Sequence, residues 1–198
     1  MEQQGRPLRA DAQRTVRAIL EAAERTLSKN PAASMEEIAE AAGVARTTVH
    51  RRFASRDALV DAMTRWAAQQ FHAAVLAARP DSTPPLVALY QATANVLRVK
   101  IGWEFAMSRS ASDPDVERIH AEVREVCARL LNRARGAGLL RADADLEWAR
   151  RSYYALIHEA MRDGSEGGDA DALATLVVDT LLHGVGAGPS GLTGTVSP

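Results

Sequence analysis

The sequence predicts an all-α protein of about nine helices. Hydrophobic residues make up 46% of the 198 residues, enough for a substantial core, whereas aromatic residues make up only 5%. Ala and Leu are abundant, and alternating runs of β-branched residues are nearly absent. Apolar residues instead recur at helical spacing along most of the chain. The pattern favours a small N-terminal head of three helices followed by a larger helical domain.

The first helix is predicted to begin after Asp11, which could act as its N-cap, and to run to about Ser28. Asn30-Pro31 ends it. The polar residues 1–10 look like a flexible arm. One face of this helix is apolar and should face the core; it carries Val16, Ile19, Leu20, Ala23 and Leu27.

Two short helices joined by a tight turn follow. Ser34 and Glu37 form a capping-box pattern that opens the helix Met35 to Ala42, and Gly43 supplies the backbone freedom that a sharp turn requires. The next helix places only Val49 and Phe53 on its inner face. This is the layout of a helix-turn-helix, whose second helix lies in the major groove of DNA.

Positive charge is concentrated at this motif. The formal net charge of the whole chain is −1, yet the segment from Val44 to Arg56 holds four arginines, one histidine and no acidic residue. Such clustering favours contact with phosphate at this place. The single Cys127 excludes an intrachain disulfide, and no signal peptide or membrane span is recognised. We therefore expect a cytoplasmic protein that does not contact membranes.

The outer face of the second helix supplies the candidate base contacts. At 100° per residue, Thr47 and Arg51 fall opposite the buried pair, with Thr48 and His50 on the flanks. Arg51 could bind a guanine through two hydrogen bonds, and the threonine methyl groups could contact thymine methyl groups. These four side chains are predicted to meet the floor of the groove.

Three further arginines are expected to contact the DNA backbone. Arg46 and Arg52 lie nearer the edges of the helix, and Arg56 stands at the start of the next helix, whose free amide groups favour an anion. The alternative is an ordinary solvated basic helix on a core-packed hairpin. The agreement of the turn, the buried pair and the charge favours DNA binding.

Further helices are indicated downstream by capping residues. Ser55 should cap a long helix that Arg79-Pro80 stops, and Thr83-Pro84 has the pattern of an N-cap followed by a first-turn proline. Asp113 opens another helix, which Gly136 and Gly138 close.

The last two helices are apolar over a wide part of their circumference and are separated by the Gly-rich segment Gly164 to Gly168. Such helices suit a four-helix bundle made with a second copy, although the stripes could also fill the core of a monomer. The predicted dimer contacts are Ala149, Tyr153, Leu156, Leu173, Leu176, Val177 and Leu181.

Aromatic and polar residues of the second domain could form a pocket for a small molecule. The candidate effector contacts are Tyr90, Trp103, Met107, His120 and Tyr154. For any one of them, the sequence favours an ordinary place in the core or on the surface over a role in the pocket. His120 and Cys127 alone do not make a metal site, and His158-Glu159 lacks the second histidine of a zinc-protease motif. No metal or other cofactor is expected.

The motif residues resemble those of the DNA-binding domain of TetR-family transcriptional regulators. The resemblance is carried by Thr15–Ala23 (TVRAILEAA), Ile38–Val44 (IAEAAGV) and Thr48–Leu59 (TVHRRFASRDAL), roughly the first third of the chain. Departures are Ala45, where the family commonly has serine, and His50, where tyrosine is usual. Arg52 and Arg56 stand where histidine and lysine are common, which keeps or adds positive charge.

The resemblance implies a homodimer that represses a promoter by occupying a palindromic operator in double-stranded DNA. A small molecule in the C-terminal domain would respace the two reading heads and release the DNA. The domain order expected is an arm over residues 1–10, a helix-turn-helix domain over 11–56, an effector-binding and dimerisation domain over 57–184, and a disordered tail over 185–198.

Two other functions compete with this one. The first is a DNA-binding protein without a small-molecule effector, acting architecturally or through a protein partner. The second is an enzyme carrying a DNA-binding module. The chain has no glycine-rich phosphate loop, no paired catalytic carboxylates and no nucleophile with a supporting base, so we do not expect an enzyme.

Overall fold

The computed structural model describes residues 5–108, 113–162 and 169–184, with side chains from Asp11 onwards. Within these ranges the regular structure is entirely α-helical, as the sequence predicted. The helices are α1 (Gly5–Lys29), α2 (Met35–Ala41), α3 (Arg46–Arg52), α4 (Arg56–Ala77), α5 (Pro85–Gly102), α6 (Glu104–Met107), α7 (Pro114–Gly136), α8 (Leu146–Arg162) and α9 (Ala170–His183).

Helix α1 begins earlier than the sequence suggested. Residues 5–10 are helical, and Asp11 lies inside the helix, where its carboxylate pairs with Arg14 instead of capping an end. Pro7 falls in the first turn, where backbone N–H groups have no partner within the helix and proline is tolerated. Residues 1–4 of the expected arm lie outside the described residues, as do the predicted Gly164 to Gly168 loop and the tail 185–198.

The described chain divides into two compact units. The N-terminal unit consists of residues up to His72 together with residues 102–121, and the second unit consists of residues 73–101 and those from Glu122 onwards. The N-terminal unit therefore takes in α6, a segment that no sequence pattern associates with the head.

The core of the N-terminal unit is built from α1, α2, α3, α4 and α6. Val49 is fully buried and Phe53 is 7% exposed, as their helical spacing predicted. Helix α2 packs against α1, and α3 packs against α2. Other buried members of this cluster are Ile19, Leu20, Ala23, Leu27, Ile38, Leu59, Met63, Ala67 and Ala106.

The second unit has its own buried side chains on α5, α7, α8 and α9. Helix α8 packs against α9, and Tyr153 of α8 hydrogen-bonds Thr93 of α5 with 2.7 Å between the hydroxyl oxygens. Helix α5 begins at Pro85, so the first-turn proline is Pro85 and not Pro84 as expected. None of the helices in the described ranges is long and apolar enough to cross a bilayer.

Candidate nucleic-acid interface and effector residues

Helix α2 forms a rigid support for the recognition helix α3. Ser34 accepts a hydrogen bond from the amide of Glu37 at 3.2 Å, and Glu37 accepts one from the amide of Ser34 at 2.7 Å, so the predicted capping box is present. The bonds that Oε2 of Glu37 accepts from the amide and from the hydroxyl of Ser34 lower the pKa of Glu37. Gly43 then takes a positive φ of 66°, which lets the chain turn sharply into α3.

Helix α3 begins without a side-chain cap. Ala45 stands at the N-cap and accepts the amide of Thr48 at 2.8 Å only through its own carbonyl. Arg46, the first residue of the helix, instead forms an ion pair with Glu36 of α2, with 2.6 Å between Nε and Oε1. Because both side chains are largely exposed, this pair orients Arg46 more than it stabilises the fold.

The outer face of α3 is exposed where the sequence predicted. Thr47, His50, Arg51 and Arg52 are exposed, and Thr48 is half-buried on the flank. Since Val49 and Phe53 fix the opposite face in the core, these outer side chains cannot rotate into the protein. A helix held in this way can present its polar face to the major groove of a duplex.

Arg56 has a different environment from the one expected. Its guanidinium donates to the carbonyl oxygens of Pro31 and of Ala33, the latter at 3.3 Å from Nε. The side chain therefore ties the start of α4 to the segment that connects α1 and α2. Two nitrogens of the guanidinium are thus engaged with backbone carbonyls, which gives Arg56 a part in positioning the head, and its contact with phosphate stays a prediction.

Two arginines of α1 were not singled out from the sequence. Arg14 and Arg17 line an open groove of about 620 Å³ that also includes Arg52 of α3 and Trp66 of α4. Their i, i+3 spacing places them on one face of α1, but it does not indicate that this face lies beside the motif. Each is paired within α1, Arg14 with Asp11 and Arg17 with Glu21.

A solvent-facing helix rich in arginine and threonine, held on a three-helix support, defines a helix-turn-helix DNA-binding regulator. Residues 19–63 match the family model described as bacterial regulatory proteins of the tetR family. The chain is also 30% identical over 175 residues to the transcriptional repressor LfrR of Mycolicibacterium smegmatis, covering 87% of this chain and 91% of LfrR. The protein belongs to the TetR family of transcriptional regulators, which are not enzymes.

Solved structures of this family share the fold. The structure of LfrR from Mycobacterium smegmatis in complex with proflavine is 29% identical, with a TM-score of 0.68, and the match covers 87% of this chain and 97% of that one. The regulator SCO0520 of Streptomyces coelicolor is 26% identical, with a TM-score of 0.58 over 84% of this chain and 98% of that one. PfmR of Thermus thermophilus, at 20% identity, 85% and 98% coverage and a TM-score of 0.72, supports the fold alone.

The five candidate effector residues are divided between the two units. Trp103 and Met107, at the two ends of α6, pack against the core of the N-terminal unit, to which His120 also belongs. Tyr90 lies in the second unit, where its hydroxyl donates to the Asp179 carboxylate, which raises the pKa of Tyr90. The large apolar residues around α6 therefore have core contacts that sequence inspection did not reveal.

Tyr154 is the candidate whose hydroxyl is enclosed but unused. Among the described residues, the Tyr154 hydroxyl oxygen is the only buried side-chain nitrogen or oxygen that makes no hydrogen bond of normal geometry. Arg150 lies over its ring, with Cζ 5.1 Å from the centroid. Burial raises the pKa of Tyr154, and it raises the pKa of the neighbouring Cys127 thiol to about 11, so both groups are neutral at physiological pH. In the described ranges, no group of three or more His, Cys, Asp or Glu side chains is placed to hold a metal ion.

Two of the predicted dimer contacts are buried inside the second unit. Tyr153 is 5% exposed and Val177 is 2% exposed, so neither offers surface to a second copy and both are removed from that set. Leu176 is 61% exposed. The remaining four residues are all half-buried in the single chain: Ala149, Leu156, Leu173 and Leu181.

Proposed function

We propose that the protein is a homodimeric repressor that occupies a palindromic operator and is released from it by a small-molecule effector. The exposed face of α3, fixed from behind by Val49 and Phe53, is the observation that carries this proposal. One recognition helix reads only a few base pairs, so a head of this size needs a second copy and a second half-site to bind specifically.

Base reading is assigned to the centre of α3 and backbone contact to its ends. Arg51 would bind guanine, and Thr47 and His50 would contact neighbouring base edges. Arg52 and Arg46 would contact phosphates on either side of the groove. The exposure of both arginine side chains supports this assignment.

Dimerisation is assigned to α8 and α9, which pack as a pair. Two such pairs form a four-helix bundle when each presents an apolar edge to the other. Leu176 is placed at the centre of this edge because it is 61% exposed in the single chain and therefore leaves apolar surface for a second copy to cover. Ala149, Leu156, Leu173 and Leu181 would flank it.

Release by a small molecule is supported by LfrR, a repressor whose structure has been solved with proflavine. In the present chain, the enclosed hydroxyl of Tyr154 is the group best suited to contact such an effector, since no hydrogen bond of normal geometry satisfies it. If the effector binds better to dimers whose two heads are not at the spacing of the operator, it shifts the population away from the DNA-binding form.

The test is a titration of the purified protein against a labelled duplex from the region upstream of its own gene. We expect a specific complex that excess random DNA does not compete away, and loss of that complex on adding proflavine. Because an aromatic dye can bind duplex DNA itself, binding of proflavine to the protein alone is measured by calorimetry.

Tyr154→Phe is the matched variant, since it removes only the hydroxyl. It should bind DNA normally and respond less to proflavine. Absence of a specific DNA complex would overturn the repressor proposal. A specific complex that never responds to proflavine or to other candidate metabolites would favour a DNA-binding protein without an effector.

A further inference from the structure

Glu24 is a charged side chain buried in the middle of α1. It is 4% exposed, and it is the only charged side chain among the described residues that is buried. A carboxylate in such a position is costly unless it is hydrogen-bonded. Neither the recognition helix nor its support uses Glu24, so its partners need a separate explanation.

The partners of Glu24 come from α6. The amide of Phe105 donates to Oε1 at 2.7 Å, and the amide of Ala106 donates to Oε2 at 3.0 Å. The hydroxyl of Ser28 on α1 adds a third bond to Oε1 at 3.1 Å. Both carboxylate oxygens are therefore satisfied, two of the three bonds coming from backbone groups 81 and 82 residues away.

These two amides belong to the first turn of α6, where N–H groups have no acceptor within the helix. Trp103 stands at the N-cap and provides no side-chain hydrogen bond. Glu24 thus caps α6 from another helix. The contact is reinforced by packing, since Ala106 is 1% exposed in the core of the N-terminal unit and Phe105 packs against that core.

We propose that Glu24 is a positioning residue that latches α6 onto α1, and that the latched arrangement is the one that binds DNA. If α6 moved away from α1, the amides of Phe105 and Ala106 would lose their acceptor. The movement would also leave a cavity at Ala106, which belongs to the same buried cluster as Val49 and Phe53 behind α3. Packing and hydrogen bonds favour the latched arrangement, whereas burial of the charge opposes it. An element held by opposing contributions can exist in two discrete arrangements.

The inference rests on the proposed function and extends it to regulation. Helix α6 follows α5 in the chain with only Trp103 between the end of one and the start of the other. A change in α5 on effector binding would therefore pull on α6 through the backbone. Release of the latch is then the step that lowers the affinity of the head for DNA.

The experiment compares Glu24→Gln and Glu24→Leu with the wild type as full-length protein. Gln has nearly the same shape as Glu but offers only one acceptor oxygen to the two amides. Leu offers no acceptor but suits a buried site, so at least one of the two variants should fold. Glu21→Gln is the matched control, because it makes the same change one turn earlier on α1 in an exposed ion pair with Arg17. The rate of hydrogen exchange at the Phe105 and Ala106 amides measures directly how often their hydrogen bonds to Glu24 open.

We expect exchange of these two amides to accelerate in both Glu24 variants, while the amides of α2 and α3 stay protected. Affinity for the upstream duplex should fall by about tenfold, within the range of typical allosteric couplings. Glu21→Gln should change neither quantity. Unchanged exchange at Phe105 and Ala106 would overturn the latch, and accelerated exchange with unchanged DNA affinity would overturn its role in binding.

Failure of the latch is distinguishable from failure of the proposed function. If the wild type and Glu21→Gln bind the duplex and the Glu24 variants bind it equally well, only the latch is wrong. If the wild type itself shows no specific binding, the repressor proposal is wrong. Loss of protection throughout α2 and α3 in both Glu24 variants would assign Glu24 to general stability and overturn the positioning role.

Discussion

The guanidinium of Arg56 donates to the carbonyl oxygen of Ala33, 23 residues earlier in the chain, with 3.3 Å from Nε. A second donor of the same group reaches the carbonyl of Pro31. One side chain thus fixes the start of α4 to the connection between α1 and α2. This arrangement separates the arginines around the motif into one that shapes the head and others that face solvent.

Arg56→Ala should therefore weaken the fold more than the contact with DNA. We expect the free energy of unfolding to fall by about 1–2 kcal/mol, since a charged donor to two backbone carbonyls is lost. Urea unfolding measures this. The dependence of DNA binding on salt should keep its slope, whereas Arg52→Ala should lower the slope by about 1 and leave stability unchanged. A lower salt-dependence slope for Arg56→Ala would show instead that Arg56 contacts a phosphate.

Arg51→Ala should reduce specific binding by about 1–3 kcal/mol and relax the preference at one base position. The physical reason is the loss of a bidentate contact to a guanine in the groove. Fluorescence anisotropy with the upstream duplex and with random DNA measures both effects. Arg52→Ala serves as the control, because a phosphate contact weakens binding to both duplexes alike. Equal losses on both duplexes for Arg51→Ala would show that Arg51 touches only phosphate.

Phe53→Ala should destabilise the head by about 3–5 kcal/mol, because it leaves a cavity where a 7% exposed ring now packs. Thermal unfolding followed by circular dichroism measures the loss. The adjacent Arg52→Ala is the comparison, since its side chain is exposed and its removal should not shift the melting curve. An unshifted curve for Phe53→Ala would place the ring outside the core.

The helix-turn-helix was predictable because its signals are local. The capping box of Ser34 and Glu37, the turn at Gly43 and the inner pair Val49 and Phe53 all depend on residues close together in the chain. Helical periodicity alone then decides which side chains face outward. The exposed face of α3 follows from these rules with no knowledge of distant contacts.

What the sequence did not predict depends on partners far along the chain. Glu24 resembles any acidic residue of a surface helix until the amides of α6 arrive from 81 and 82 residues away. For Arg56 the sequence suggested only contact with DNA, because its carbonyl partners, Ala33 and Pro31, lie 23 and 25 residues earlier in the chain. Tyr153 and Val177 were expected at a dimer contact because an apolar stripe does not reveal whether a neighbouring helix belongs to the same chain or to a second copy.

Lowering the pH should stabilise the wild type relative to Glu24→Gln. Burial, the largest influence, raises the pKa of Glu24 above its usual 4.5, and nearby Glu104 raises it further, against the lowering effect of the Phe105 and Ala106 amides and Ser28. The folded chain therefore holds this proton more tightly than the unfolded chain. Stability from this group is then present at low pH and is lost as the pH rises from the unfolded to the folded pKa.

Urea unfolding at a series of pH values tests this. The free energy of unfolding of the wild type minus that of Glu24→Gln should increase as the pH is lowered from neutrality toward the usual pKa of 4.5, because only the wild type takes up the proton. The same subtraction with Glu21→Gln, where the carboxylate is not buried in the core, is the control. A difference for Glu24→Gln that is constant with pH would contradict the raised pKa.

Leu176→Glu should convert a dimer into a monomer without unfolding the chain. Leu176 is 61% exposed in the single chain, so a carboxylate there remains hydrated as long as the chain is alone. In a symmetric four-helix bundle the same position faces its counterpart or a neighbouring leucine, and dimerisation would desolvate two carboxylates without partners. Sedimentation velocity should therefore show half the mass, with an unchanged helical signal.

Leu86→Glu is the matched control, because Leu86 is also an exposed leucine, 38% accessible, but lies on α5, which is not one of the two helices of the proposed edge. It should leave the dimer intact. A dimer that survives Leu176→Glu, or one that dissociates with Leu86→Glu instead, would place the symmetric contact elsewhere than on α8 and α9. Because two half-sites are needed for specific binding, the monomeric variant should also lose the operator while keeping weak, salt-sensitive affinity for random DNA.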